Sequence, residues 1–298
     1  REVTARHTHT VQEVLVESIN EQELRNQVNR LIDAGIHGLF AFGTNGESYA
    51  LSTAEKERVL EIVVEETNHR VPVYAGSGCI TTKETIALSK KAFEIGADAL
   101  SIVTPFYAAA SQEELYAHYM DVASAVDMPI VMYNIPPRTG NALAPATVRR
   151  LAQSAPNIVG VKDSSGNFDN MKQYIEQTAT LDREFSVLSG NDSLILPALV
   201  FGGKGGIAGC ANVFPRAMVK IYETWAAGDL EGAKRAQDDI RPFRNCFKYG
   251  NPNTIIKLAT KELGYPVGNC RKPFCQLSEE GMEQMRVALQ GCVSRGMC

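Results

Sequence analysis

The sequence predicts an α/β fold, a (β/α)8 TIM barrel that continues into a C-terminal helical extension. A short apolar run, a polar loop and an amphipathic helix recur about every thirty residues from position 38 onward. The apolar runs do not alternate with polar residues, which is typical of parallel strands covered on both faces. The GxGxxG turn of a doubly wound sheet is absent after the first clear strand.

Seven apolar runs are predicted to be strands, at 38–42, 71–75, 99–103, 129–133, 158–161, 185–188 and 205–208. Three of the helices that follow are predicted to start at capping boxes, 52–55, 81–84 and 111–114, where a hydroxyl and a carboxylate bind the free N–H groups of the first turn. Later helices are expected to start at Pro145 and near Phe168 and Ser193.

The chain of 298 residues is long for one domain but suits a barrel of about 250 residues with an addition. We predict that residues 1–222 form the barrel that carries the active site. Residues 223–298 are predicted to form a helical region packed on the barrel, with helices at about 229–247, 251–263 and 279–290, because no low-complexity linker separates the two parts.

The composition narrows the class of partners. Thirty Lys and Arg against 34 Asp and Glu leave a net charge of −4, without the basic excess of a dedicated nucleic-acid binder. No apolar run approaches the ~18 residues of a membrane span, and residues 1–12 do not resemble a signal peptide. The seven cysteines include no CxxC pair, which favours reduced thiols. We therefore expect a cytoplasmic protein with no nucleic-acid or membrane partner.

Active sites of such barrels lie at the C-terminal ends of the strands. Lys162 follows the apolar run 158–161, where apolar surroundings would disfavour its ammonium and leave an amine able to attack a ketone. An ion pair with Asp163, or exposure to solvent, is the alternative. Tyr133 and Tyr107 lie at two other strand ends and could relay protons or simply pack at the barrel rim.

Two further segments could bind carboxylates. Thr44 and Asn45 lie between two glycines after the strand at 38–42, and their backbone N–H groups could hold an anion, although a plain turn has the same sequence. Arg138 lies in a loop stiffened by Pro136 and Pro137 and could form a bidentate pair, or else a surface ion pair.

A metal site is not predicted. His7 and His9 resemble a metal-binding pair of barrel hydrolases, but that chemistry needs histidines on later strands, and none occurs after His118. The glycine-rich segment 202–206 could suggest a phosphate-binding loop, but it lacks the GxxxxGK[ST] spacing, and close helix–strand packing explains it as well.

Taken together, these segments resemble the pyruvate-dependent Schiff-base aldolases, the family of N-acetylneuraminate lyase and dihydrodipicolinate synthase. The matching segments are 43–47, 133–140, 160–163, 189–192 and 205–207, with Asn251, Pro252 and Lys257. The resemblance runs from about residue 19 to the C-terminal helices. It implies a barrel with added helices, assembled as a homotetramer of two tight dimers.

The resemblance also implies roles for single residues. Lys162 would form the Schiff base with pyruvate, and Tyr133 would relay protons. Thr44 would link Tyr133 to a second tyrosine, Tyr107, which family members receive from a neighbouring subunit. The backbone amides of Thr44 and Asn45 would hold the pyruvate carboxylate.

Other positions bear on the second substrate. Ile207 would place its carbonyl near the reacting atoms, and Arg138 matches the arginine that holds the carboxylate of aspartate semialdehyde in the synthase branch. The sialic-acid lyases typically have a small or apolar residue at that position. Asn45 and Asp163 depart from the synthase pattern, which has a second hydroxyl residue and a glutamate there, and they leave room for sugar-acid aldolases.

The expected activity is therefore that of a class I, metal-independent carbon–carbon lyase with no cofactor other than the covalent Schiff base at Lys162. Condensation of pyruvate with aspartate semialdehyde, the dihydrodipicolinate synthase reaction, is the first candidate. An N-acetylneuraminate lyase or 2-keto-3-deoxy sugar-acid aldolase is the alternative. A non-catalytic barrel that binds a keto acid is the alternative from another class, and it would not need a proton relay.

The front of the chain departs from the family. The family's first strand ends in a Thr-Pro-Phe-like turn, whereas residues 4–16 are polar and contain no proline. Either the first strand is degenerate or this stretch is not the natural sequence.

Overall fold

The computed structural model describes residues 18–297. The strands are β1 (Leu39–Ala41), β2 (Val73–Ala75), β3 (Ala99–Val103), β4 (Ile130–Asn134), β5 (Ile158–Asp163), β6 (Ser186–Ser189) and β7 (Gly205–Gly206). The helices of the first part are α1 (Glu21–Asp33), α2 (Thr53–Thr67), α3 (Thr82–Ile95), α4 (Gln112–Ala125), α5 (Pro136–Thr139), α6 (Pro145–Ser154), α7 (Phe168–Thr178), α8 (Ile195–Val200) and α9 (Pro215–Ala226). The last helices are α10 (Leu230–Asp239), α11 (Arg241–Arg244), α12 (Pro252–Glu262) and α13 (Glu279–Ser294). Short 3-10 turns occupy Ser48–Ala50, Asp192–Leu194, Cys210–Asn212 and Asn245–Tyr249.

The seven strands form one parallel sheet in the order β1 to β7, so each strand pairs with the next one along the chain. Helices cover the intervals between the strands, and the α/β barrel fold predicted from the sequence is confirmed. The register places Tyr133 of β4 beside Lys162 of β5, and Lys162 beside Leu188 of β6. The carboxyl ends of β4, β5 and β6 therefore meet at one edge of the sheet. Residues 4–16, where the departure from the family's first strand falls, lie outside the described residues.

The helix starts follow local side-chain chemistry. Ser52 and Ser111 each accept a hydrogen bond from the backbone N–H three residues on, and a glutamate binds back, so both capping boxes are complete. Thr81 accepts from the Glu84 N–H in the same way, but the glutamate there binds the threonine hydroxyl rather than the backbone. Helix α6 begins at Pro145 as predicted.

The predicted single helix at 229–247 is wrong. The chain forms α10, α11 and a 3-10 turn there instead. Pro242 is responsible, because a proline has no N–H to donate and its ring clashes with the carbonyl of the preceding turn. The predicted helices near 251–263 and 279–290 are present as α12 and α13.

The apolar side chains form two cores. The first lies between the sheet and the helices from α1 to α7, with Ile102, Ile130 and Met132 fully buried. The second core packs α8 and α9 against the last four helices. It includes Leu199, Phe214, Phe243, Ile255 and Met285. Because α9 belongs to this second core and continues through residue 222, the C-terminal helices share a core with the barrel. The division at 222/223 stays a prediction.

In residues 18–297 no helix has the length and apolarity that crossing a bilayer requires.

Candidate active site

Lys162 lies near the end of β5, and its side chain is almost fully enclosed. The residue is 5% exposed, so the predicted alternative of a solvent-facing lysine does not hold. Its Nζ lies 3.9 Å from the centre of the Tyr133 ring and 4.8 Å from that of the Phe40 ring. Ring faces attract a cation and shield it from water at the same time, so the amine lies in a small aromatic enclosure at the sheet edge.

Asp163, the next residue, is bound elsewhere. Successive side chains of a strand point to opposite faces, and the Asp163 carboxylate accepts hydrogen bonds from Asn134 Nδ2 at 2.8 Å and from Ser165 Oγ at 2.9 Å. Burial raises the pKa of Asp163, although these hydrogen bonds act against the shift. Asn134 Oδ1 in turn accepts from the Leu143 N–H. Asp163 therefore ties β4, β5 and the loop before α6 together.

Tyr133 links the lysine to the loop after β1. Its hydroxyl lies 3.1 Å from the Thr44 hydroxyl. Burial alone would raise the pKa of Tyr133, but the positive charge of Lys162 and the hydrogen bond with Thr44 outweigh it, and the pKa is lowered from its ordinary value. The phenol can therefore release a proton more easily than an isolated tyrosine.

The loop that carries Thr44 is held at its far end. Glu47 has a positive φ of 54° and is buried, and its carboxylate pairs with the Lys257 ammonium of α12. The same carboxylate accepts from the Arg271 N–H at 2.8 Å. Contacts from the C-terminal region therefore anchor the loop on which Thr44 lies.

The sequence assigns no role to Gly190, which follows β6, yet the lysine enclosure depends on it. A Cβ at Gly190 would lie 1.9 Å from Ser164 Oγ and 2.8 Å from Lys162 Cε. Both separations are far below van der Waals contact. A side chain at Gly190 would therefore force Ser164 and the tip of Lys162 to move.

We expect Gly190→Ala to push the lysine tip aside and to slow its reactions by about 10² -fold, because a displacement of about 1 Å can cost that much. Overpacking should also lower the free energy of unfolding by about 1–3 kcal/mol. Chemical denaturation and the rate of lysine modification measure the two effects. Gly291→Ala is the control, since its Cβ would meet only the Arg295 side chain at 3.6 Å. Unchanged lysine reactivity in Gly190→Ala would contradict this account.

The other predicted site residues lie around this cluster. Arg138 is exposed on the short helix α5, and its guanidinium donates to Asn251 Oδ1 at 3.4 Å. Asn45 is exposed, and its amide nitrogen lies 2.5 Å from where a Cβ of Gly209 would be. Ile207 is half-buried, and its N–H donates to the Ser189 carbonyl at 2.8 Å.

Tyr107 stands apart from the buried cluster. It is 96% exposed and has a positive φ of 78°, a conformation that is costly for a residue other than glycine. The structure thus brings Lys162, Tyr133 and Thr44 together and leaves Tyr107 projecting from the surface of the chain.

Possible metal ligands do not gather in the part of the chain that the structure describes. Across residues 18–297 there is no group of three or more histidine, cysteine, aspartate or glutamate side chains placed to hold an ion. His7 and His9 lie outside that range. The backbone of the glycine-rich segment 202–206 lies close to α8, because a Cβ at Gly203 would lie 2.8 Å from the Ala198 carbonyl oxygen.

The fold and the cluster define a class: a parallel α/β barrel with a buried lysine and a hydrogen-bonded tyrosine at the carboxyl ends of neighbouring strands. Residues 16–292 match the profile of the Dihydrodipicolinate synthetase family, and the chain belongs to that family.

Individual relatives are similar over almost their whole length. The 4-hydroxy-tetrahydrodipicolinate synthase of Methanopyrus kandleri is 43% identical over 276 residues, which cover 92% of this chain and 91% of the relative. The structure of the 4-hydroxy-tetrahydrodipicolinate synthase from Methylacidiphilum fumariolicum SolV has a TM-score of 0.90 and 31% identity, covering 93% and 92% of the two chains. The E. coli K12 prophage protein YagE, solved in complex with pyruvate, has a TM-score of 0.89 and 30% identity, covering 94% and 93%.

Proposed function

We propose that the chain catalyses the reaction for which its relatives are named, the condensation of pyruvate with aspartate semialdehyde to 4-hydroxy-tetrahydrodipicolinate. The observation that carries the proposal is the enclosed Lys162 amine, 3.9 Å from the ring centre of a tyrosine whose hydroxyl is bonded to Thr44. Identity of 43% with a 4-hydroxy-tetrahydrodipicolinate synthase supports it. The reaction needs no metal and no cofactor beyond the Schiff base at Lys162.

The chemistry starts at the lysine. In its deprotonated form the Lys162 amine attacks the keto carbon of pyruvate and passes one proton to the new alkoxide, and Tyr133 donates a second proton to the carbinolamine oxygen, which leaves as water. The Tyr133 phenolate takes a methyl proton from the resulting iminium, which becomes an enamine. The enamine carbon attacks the aldehyde carbon of aspartate semialdehyde, and Tyr133 returns the proton to the aldehyde oxygen, with Thr44 able to accept and donate beside it. The amino group of the bound semialdehyde then attacks the iminium carbon, gives a proton to Tyr133, and closes the ring as the Lys162 amine leaves.

The substrates are anions, and the site offers matching groups. The backbone N–H groups of Thr44 and Asn45 bind the pyruvate carboxylate, and the Ile207 carbonyl faces the reacting atoms. Arg138 is exposed and makes one long hydrogen bond, so its guanidinium keeps donors for a second carboxylate.

The site is completed by a second copy of the chain. The 96% exposure of Tyr107 supports contact with another copy of the chain. The assembly is a homotetramer in which this tyrosine enters a neighbouring subunit and continues the Tyr133–Thr44 relay there. We place the enzyme in the cytoplasm, a reducing compartment in which the free cysteines Cys79, Cys210, Cys246, Cys270 and Cys275 stay reduced. Small anions, rather than nucleic acid or membrane, are its partners.

Reductive trapping and a substrate panel test the proposal. Incubation with pyruvate and borohydride should add one reduced pyruvate per chain, detected by mass. Consumption of aspartate semialdehyde is then compared with release of pyruvate from N-acetylneuraminate and from 2-keto-3-deoxy sugar acids. If the pyruvate adduct is trapped but only the sugar acids are turned over, aspartate semialdehyde is not the substrate, and a sugar acid takes its place. Binding of pyruvate without any turnover would favour a non-catalytic barrel.

Arg138→Ala should raise the KM for aspartate semialdehyde by about 10- to 100-fold, the loss expected for a charge-assisted hydrogen bond. The KM for pyruvate should change less than about twofold, since its carboxylate binds to backbone amides. Steady-state kinetics with each substrate varied in turn measure the split. Arg150→Ala is the control, because Arg150 pairs with Glu113 on the surface. Equal effects of Arg138→Ala on both substrates would count against the assignment.

A further inference from the structure

Asn253, the second residue of α12, is buried against the loop after β1. It is 1% exposed. Its side-chain Nδ2 donates to the Thr44 carbonyl oxygen and, at 2.9 Å, to the Tyr49 hydroxyl. Its Oδ1 is buried and has no hydrogen-bond partner among the described residues. The side chain of Asn253 therefore joins the C-terminal helices to the catalytic loop.

The unpaired Oδ1 indicates that the role of Asn253 lies in its Nδ2 donor rather than in packing. A buried polar atom without a partner lowers the stability of the fold, so an apolar side chain of the same size would serve packing better. What Asn253 supplies and an apolar residue cannot is the donor to the Thr44 carbonyl. That carbonyl also accepts from the Glu47 N–H at 3.1 Å, so two donors hold one peptide group.

The peptide group between Thr44 and Asn45 also carries the Asn45 N–H, which is proposed to bind the substrate carboxylate. A trans peptide is planar, with its C=O and N–H pointing in opposite directions. The carbonyl of Thr44 and the N–H of Asn45 belong to the same peptide unit, so fixing the direction of the first fixes that of the second. Thr44 is also the residue whose hydroxyl lies 3.1 Å from Tyr133.

We propose that Asn253 is a positioning residue that orients the Thr44–Asn45 peptide, so that its N–H faces the substrate carboxylate and the Thr44 hydroxyl stays on Tyr133. The proposal rests on the proposed function and adds to it a determinant of pyruvate binding in the C-terminal helical region. Asn253 touches neither substrate nor the reacting atoms, and it acts through Thr44.

The variant Asn253→Leu tests this role because leucine has nearly the same size and shape and fills the site without donors. We expect the KM for pyruvate to rise about tenfold, the effect of one lost hydrogen bond. Borohydride trapping at low pyruvate concentration should slow by the same factor. The titration midpoint of the Tyr133 phenol, measured by ultraviolet difference against Tyr133→Phe, should move to higher pH as its bond to Thr44 loosens.

Two controls separate positioning from packing. Thr260→Val removes a buried hydroxyl of the same helix that donates to the Ile256 carbonyl within α12, so it disturbs the helix without touching Thr44. Tyr49→Phe removes the other acceptor of Asn253 and leaves its bond to Thr44. Neither control should move the pyruvate KM or the Tyr133 titration.

The proposal is overturned if Asn253→Leu leaves the Tyr133 midpoint and the pyruvate KM unchanged, or if Thr260→Val moves them as much. Failure of this proposal and failure of the proposed function would give different results. Absence of a trapped adduct in the wild-type chain would reject the enzyme activity, whereas the Tyr133 titration needs no turnover and still decides whether Asn253 holds Thr44.

Discussion

Replacement of Lys162 by alanine is expected to abolish the borohydride-trapped pyruvate adduct and to lower kcat/KM by about 10⁴-fold or more. The proposed covalent route starts at this amine, and removal of the nucleophile from comparable sites has effects of that order. The aromatic enclosure should survive, because Tyr133 and Phe40 also contact each other edge to face with ring centres 6.3 Å apart. Intact-mass measurement after trapping and steady-state kinetics at saturating pyruvate give the two readouts.

The matched control for this change is Lys204→Ala. Lys204 lies directly before β7, is about half exposed and pairs with Glu184 at 3.9 Å. Its replacement should leave one adduct per chain and an unchanged rate. A full adduct in Lys162→Ala would show that another lysine reacts with pyruvate, and the Schiff-base assignment of Lys162 would then be wrong.

Replacement of Tyr133 by phenylalanine should lower kcat by about 10²- to 10⁴-fold, the usual contribution of a positioned proton donor. Phenylalanine keeps the ring beside Lys162 and removes only the hydroxyl, so the loss reports proton transfer rather than packing. If Tyr133 is the donor, its phenol must be protonated, so we expect wild-type activity to fall as pH rises through its lowered pKa. Tyr133→Phe should lose this alkaline limb from the pH profile of kcat.

Thr44→Val gives an intermediate case. Without the Thr44 hydroxyl one of the groups that lower the pKa of Tyr133 is gone, so the alkaline limb should move to higher pH while remaining present. The fall in kcat should be smaller than in Tyr133→Phe. An alkaline limb at its wild-type position in both variants would assign that limb to another group and remove Tyr133 from the relay.

Much of the barrel could be predicted because its signals are local. Most strands lie in short apolar runs, and Ser52, Ser111 and Pro145 mark helix starts within a few residues of chain. The break in the predicted helix at 229–247 also has a local signal, since Pro242 cannot continue a helix, but the prediction did not use it.

The site was predictable only where strand order sufficed. Lys162 and Tyr133 pair in register on adjacent strands, so placing both at strand ends already brought them close. Gly190 lies in the matching segment 189–192, but its role could not be predicted, because it depends on the side chains of Lys162 and Ser164 at the end of the neighbouring strand. The role of Asn253 could not be predicted either, because it depends on three-dimensional packing. An Asn-Pro-Asn segment indicates a helix start and says nothing about the loop after β1.

The bond between Asn253 and Thr44 joins positions 209 residues apart, whereas the barrel grows by contacts between successive strands. Closing so long a loop costs more entropy than joining neighbours, and contacts of this kind form late when a chain folds. During synthesis, both Tyr133 and Lys162 leave the ribosome well before α12. We therefore expect a nascent chain to acquire its lysine enclosure first and the ability to hold a keto acid last.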